Sequence, residues 1–224
     1  MPDAPALHID KLQFRYSSGD PLVIDIDALE LAPGEQVLLT GTSGRGKSTL
    51  LYLIAGLMEP TSGTVRVAGQ DIHALAGHKR DQFRGSSIGM IFQTFNLLPG
   101  FSATENVMLA MMFSEIPRGE HRDRALELLK TLGVERPEAA TDELSIGQQQ
   151  RVAVARAMAC RPALVLADEP TASLDPENAA AAMDLIQNAC TENGAALLCV
   201  SHDPAMSERF GRRASLHELS AGTA

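Results

Sequence analysis

Little in this chain suits a disulfide scaffold, a nucleic-acid binder or a membrane span. Its 224 residues include three cysteines, Cys160, Cys190 and Cys199. They form no C-x-x-C pair and each sits among apolar neighbours, which argues against a disulfide framework and suits buried thiols in a reducing compartment. Lysine and arginine number 19 against 28 aspartates and glutamates, a formal charge of −9. No basic stripe is visible, so no nucleic-acid partner held by phosphate contacts is expected, and the acidity reads as solubility. No apolar run approaches the roughly 18 to 20 residues that cross a bilayer. The stretch MPDAPALHID lacks the basic region and apolar core of a secretory signal. Any membrane role is therefore expected to use another chain.

Apolar runs alternate with helical patterns, the signature of an α/β fold with a largely parallel sheet. EQVLLTG (35 to 41) reads as a buried strand entering a glycine-rich turn, after which Leu50, Leu53, Ile54 and Leu57 recur at helical spacing until EPTSG stops them. TVRVAG alternates like a strand with one wet face, whereas IGMIFQ (88 to 93) and ALVLA (163 to 167) look covered on both faces, and AALLCVS (195 to 201) closes the set of strands. Between Gln93 and Pro162 helical signals take over, for example Ala125, Leu128, Leu129 and Leu132 with Gly133 as a stop. The chain reads as a sheet domain (1–92 and 163–224) carrying an inserted helical subdomain (93–162).

GTSGRGKST comprises Gly41, Thr42, Ser43, Gly44, Arg45, Gly46, Lys47, Ser48 and Thr49. It matches G-x-x-x-x-G-K-[ST] between a predicted strand and a predicted helix, the context of a P-loop. The three glycines let backbone N–H groups point at phosphate oxygens, and the following helix adds its positive end. Lys47 would reach the β- and γ-phosphates, and Ser48 would bind Mg²⁺. A P-loop needs a carboxylate at the end of a neighbouring strand, and ALVLADEP supplies two. Asp168 would hold the metal and Glu169 would orient or deprotonate the attacking water, the alternative for both being a solvated loop. His202 leaves another apolar strand and is either a γ-phosphate contact or a satisfied structural histidine. Asp175 opens DPEN, an N-cap followed by proline at the first helical turn.

DELSIGQQQRVAVARAMA (142 to 159) places a polar head on an apolar helix. Ser145 and Gln148 fit a capping box, with Val152, Ala155 and Met158 on one face behind them. Gly147 is left over, since glycine in a helical turn costs up to about 1 kcal/mol against alanine and is tolerated where something approaches the backbone closely.

Together these strings resemble the nucleotide-binding subunit of ATP-binding cassette (ABC) transporters over nearly the whole chain. The resemblance implies a P-loop NTPase (RecA-like) fold: a mainly parallel core sheet, an antiparallel β subdomain and the inserted helices. It implies ATP hydrolysis with Mg²⁺. By the same likeness Tyr16 in FRYSSGD stacks on adenine, Gln93 in IFQTFNLLP is the Q-loop ligand of metal and nucleophilic water, and ASLD ending at Asp175 is the D-loop. His202 becomes the switch histidine, and LSIGQ the signature motif. Two copies would sandwich two ATP molecules, with Ser145, Gly147 and Gln148 of one copy lying on the ATP of the other. Ile146 departs from the family's LSGGQ; right-handed helical dihedrals would accommodate it, so hydrolysis is expected to survive.

The neighbourhoods GMIFQTFNLLPGFSATENV and LVLADEPTASLD are similar to the lipoprotein-releasing, macrolide-efflux and FtsE-type ATPases. The implied partners are a second copy and an integral membrane permease subunit, with this chain in the cytoplasm, peripheral on the inner face of the membrane. Phe92, Phe95, Leu97, Leu98 and Phe101 would line a groove for that subunit, or else fill the subdomain core. The expected output is export or extraction of a hydrophobic or lipidated substrate. The alternatives are mechanical signalling to a membrane partner without cargo, and import.

Overall fold

Buried and wetter positions alternate along Leu7–Phe14 (β1) and Ile24–Leu31 (β2). The two strands pair antiparallel from Leu7 opposite Leu31 to Phe14 opposite Ile24, the arrangement of a sheet with one packed face. The computed structural model describes residues 4–41 and 46–220. After β2 come β3 (Gln36–Thr40), α1 (Lys47–Ile54), β4 (Ser62–Val67) and β5 (Gln70–Asp71). β4 takes the other edge of β1, giving a first sheet in the order β2-β1-β4-β5.

The chain then runs through α2 (His78–Ser87), β6 (Ile88–Phe92), α3 (Ala103–Ala110), α4 (His121–Thr131) and α5 (Ile146–Met158). It finishes with β7 (Leu164–Asp168), α6 (Pro176–Asn193), β8 (Ala196–Val200) and β9 (Arg212–Ser215), ahead of a last short helix. The second sheet has the order β6-β7-β8-β3-β9, and every neighbouring pair in it is parallel. β8 is buried along its whole length and β7 along all but its last residue, as strands covered on both faces should be. The expected fold is the observed one.

Three apolar clusters hold these layers. α1 lies between the sheets, its Leu50, Leu51, Leu53 and Ile54 packed with Leu7 and Ile9 of β1 and with Leu166 and Leu198 of the parallel sheet. On the opposite face, Val165, Leu197 and Cys199 meet Val154, Ala157 and Met158 of α5 and Met183 and Ile186 of α6. The third cluster is helical, joining Val107, Leu129, Val152 and Ala155 of α3, α4 and α5. Fully burying each large apolar side chain is worth about 1.5–3 kcal/mol. The single apolar stripe expected of α5 is thus two: Val152 and Ala155 serve the helical cluster, Met158 the sheet.

α5 passes close to β6, and a Cβ built on Gly89 would lie 2.5 Å from the Ala157 carbonyl oxygen. Backbone cannot yield there as a flexible side chain would. Gly89→Ala is expected to lower unfolding stability by about 1–3 kcal/mol, read from the denaturant midpoint.

One boundary and one burial differ from the sequence reading. α1 ends at Ile54, before Leu57 and EPTSG, because the chain turns at Ala55 and Gly56, and Leu57 is left exposed. All three cysteines are free, but Cys160 is half-buried where Cys190 and Cys199 are buried. Burial pushes the Cys190 thiol up to about 12 and raises Cys199 as well. Among the described residues no helix is long and apolar enough to cross a membrane.

Candidate functional site

The parallel sheet gathers the chemistry at one end. Phe92 lies opposite Asp168, and Asp168 opposite Val200, while Leu39 also pairs with Val200. Gln93, Asp168 with Glu169, Ser201 with His202, and Gly41 therefore emerge side by side at the carboxyl ends of four strands, where α/β folds bind ligands. Lys47 and Ser48 join them as the first residues of α1. Gly46 caps that helix with a φ of 88°, a conformation costly to side chains. Thr42, Ser43, Gly44 and Arg45 lie outside the described residues.

Lys47 is buried, its Nζ 2.7 Å from the Gly41 carbonyl oxygen and 4.0 Å from Glu169 Oε1. Asp168 is held less comfortably. Burial pushes its carboxyl up and the charge of Glu169 adds to that, against the Ser48 hydroxyl and Lys47. Its Oδ1 is buried with no hydrogen-bond partner among the described residues. An orphaned carboxylate oxygen beside a serine hydroxyl is the donor set that a hard divalent cation takes.

Glu169 has a φ of 47°, a region that costs a non-glycine residue about 1–3 kcal/mol. Two neighbours hold it there. Its N–H donates to the Val200 carbonyl at 3.0 Å. Its carboxylate receives His202 Nδ1 at 2.8 Å and the His202 backbone N–H at 3.4 Å. A carboxylate oxygen only accepts, so Nδ1 carries the proton. Glu169 is a mostly buried carboxylate, 15% exposed, facing a histidine ring that opens to solvent.

Tyr16 is 64% exposed. Its ring stands edge-on to Phe14 at 5.0 Å and its hydroxyl lies 3.0 Å from Thr49 Oγ1, so a flat aromatic face is fixed beside the start of α1. Asp175 caps α6, accepting from the Asn178 backbone N–H at 3.1 Å, with Pro176 next; that contact holds its carboxyl below the usual range.

The structure does not bring Ser145, Gly147 and Gln148 to this cluster within one copy. They head α5 elsewhere, and nothing lies within 4 Å of where a Cβ on Gly147 would sit. Ser145 Oγ accepts from the Gln148 N–H at 3.3 Å, but the return bond of a capping box is missing. The Gln148 side chain instead donates to the Gly133 carbonyl and accepts from Glu135 N–H. Ile146 is the first residue of α5 and is 60% exposed. This helix N-terminus therefore presents an open glycine and an outward apolar residue at its surface, at the end of a helix whose dipole favours anions.

A groove of about 510 Å³ runs between α2, β6, α3 and α5, lined by Leu57, Phe92, Leu109, Phe113 and Arg156 among others. Of the five residues expected there, only Phe92 lines it. Phe95 is buried, Leu97 packs on the helical cluster, and Leu98 and Phe101 are exposed beyond it. The positive φ of Phe95 and Asn96 turns the chain away after Thr94. Two residues overlooked in the sequence also hold the site: Ser173 Oγ donates to the Gln93 carbonyl at 3.3 Å, and Arg156 grips the turn at Phe95 and Asn96. A cation inside the apolar run VAVARAMA was the only signal for Arg156.

A model of the ABC transporter family matches residues 25–172. The lipoprotein-releasing system ATP-binding protein LolD of Pseudomonas fluorescens is 41% identical over 206 residues, 91% of each chain. LolD 1 of Rhodospirillum rubrum is 40% identical over 97% of each. Among solved structures, the dimeric post-hydrolysis state of the ATP-binding cassette MJ0796 bound to ADP and Pi is similar with a TM-score of 0.82 at 34% identity, covering 96% of each chain.

Proposed function

This chain belongs to the ABC transporter family as an ATP-binding and ATP-hydrolysing subunit, and from that premise we propose that it powers a separate membrane subunit that extracts lipoproteins from the bilayer. The observation that carries the cargo is the likeness, near 40% identity over almost the full length, to proteins named for lipoprotein release. In this reading two copies close on two ATP molecules while bound peripherally to the inner face of the membrane. The helical part (93–162) moves against the core (1–92 and 163–224).

Each residue has a task. Tyr16 carries the adenine, and the P-loop from Gly41 to Thr49, with Lys47, carries the phosphates. Ser48, Asp168 and Gln93 would hold Mg²⁺, which the orphaned Asp168 oxygen fits and which would supply positive charge against the phosphate oxygens. Glu169 takes a proton from the water that attacks the γ-phosphorus as its bond to the ADP oxygen breaks. His202 orients Glu169, and Ser145 and the Gly147 N–H of the other copy meet the γ-phosphate, with Gln148 fixing their turn. Asp175 ends the D-loop at the same interface. The groove beside Phe92 and Phe113 receives an apolar helix of the membrane subunit.

Tyr16→Ala is expected to weaken ATP binding by about 1–3 kcal/mol, roughly 5- to 150-fold in Kd by nucleotide titration. An unchanged Kd counts against stacking. The cargo is tested by purifying the chain with its membrane partner in mild detergent and reconstituting the complex in vesicles loaded with a triacylated protein. ATP-dependent transfer of that protein to a soluble acceptor is the expected result. ATP hydrolysis with no lipoprotein released, or a many-helix permease as the partner, overturns the reading.

A further inference from the structure

Arg156 sits in α5 between Ala155 and Ala157, both buried. Its guanidinium is withdrawn from water, which depresses its pKa, and no carboxylate among the described residues pairs with it. Instead Nη1 donates to the Asn96 carbonyl at 2.5 Å and Nη2 to the Phe95 carbonyl at 2.6 Å. Phe95 and Asn96 have φ of 59° and 49°, and for a buried phenylalanine that conformation persists only when its surroundings impose it. The guanidinium is a rigid fork that matches two adjacent acceptors, which the single ammonium of lysine does not.

The gripped turn begins two residues after Gln93, whose own carbonyl is held by Ser173 on the other side. Gln93 is exposed and follows the last residue of β6, so the backbone that carries its side chain is tethered at Gln93 itself and just beyond it. We propose that Arg156 is a positioning residue for Gln93: by holding Phe95 and Asn96 in the left-handed region it fixes the segment that aims Gln93 at the γ-phosphate and metal. The proposal rests on the reading of Gln93 given above. It also makes α5 serve two nucleotides, through Ser145 on the partner's and through Arg156 on its own.

Arg156→Lys keeps the charge and the aliphatic stem and removes the fork. In the full chain, steady-state phosphate release and hydrogen exchange are measured with MgATP. Turnover is expected to fall about ten- to a hundredfold with KM for ATP within about twofold of wild type, as for a misplaced catalytic group. The Mg²⁺ concentration for half-maximal turnover rises, and amides 94–98 exchange faster while those of β7 and β8 do not change. Wild-type turnover in Arg156→Lys, or faster exchange spread through β7 and β8, overturns the positioning role. Glu169→Gln is assayed beside it: if that variant also hydrolyses ATP normally, the reading of the whole site fails, and if it is inactive while Arg156→Lys is normal, only the proposal for Arg156 fails.

Discussion

Ser145→Asp will leave the fold as stable as the wild type and stop ATP turnover. In the proposed dimer Ser145 has two separable duties. As N-cap it accepts from the Gln148 N–H, and aspartate caps as well as serine does, with its negative charge favoured at a helix N-terminus by about 0.3–1 kcal/mol. Thermal unfolding should therefore shift little, whereas Ser145→Ala should lose about 1 kcal/mol. As a lid on the other copy's nucleotide, the same position would set a carboxylate against the γ-phosphate. Removing one good donor to a reacting oxyanion already costs about a hundred- to a thousandfold, and a like charge adds to that. Phosphate release should fall at least that far, while a single copy still binds ATP through its own P-loop. A variant that keeps more than about a tenth of the wild-type rate reduces Ser145 to a cap, because an effect that small is below that of a lost oxyanion donor.

Glu169→Gln is expected to bind ATP normally and turn it over about a hundred- to ten-thousandfold more slowly, the span that a general base contributes. The substitution is close to isosteric. Its carbonyl oxygen still accepts from His202 Nδ1, and the backbone bond to Val200 is untouched, so the strained turn survives. What is lost is the ability to take a proton from water. The ATP-bound pair should then persist, visible as a dimer by size-exclusion chromatography in the presence of MgATP. Turnover above about a tenth of wild type removes Glu169 from the role of base.

Sequence reports most directly on features that are complete within a few residues of chain. ALVLADEP runs along a strand and off its end, so pattern and position coincide there, and the Asp175 cap is complete within four residues. The structure departs from the sequence pattern at a local break or where a distant contact decides the outcome. Helical spacing ran on to Leu57, but the chain breaks at Gly56, and Leu57 lines the groove. The capping box was half right because Gln148 finds Gly133 and Glu135, 15 and 13 residues away. Arg156 and Ser173 went unread as site residues because their acceptors lie 60, 61 and 80 residues off, where no local periodicity reports. Tyr16 was assigned through family likeness alone; its exposed ring and its bond to Thr49 are legible only in three dimensions.

α5 is built into two apolar clusters at once, and Arg124 Nε holds the Ala159 carbonyl just past its last turn. Its 13 residues make a rod of about 20 Å. A body pinned along its length to two partners cannot bend to absorb a push at one end. A rigid rod displaced at its Ser145 end would carry that displacement to Ala157, which touches Gly89 and lines the groove.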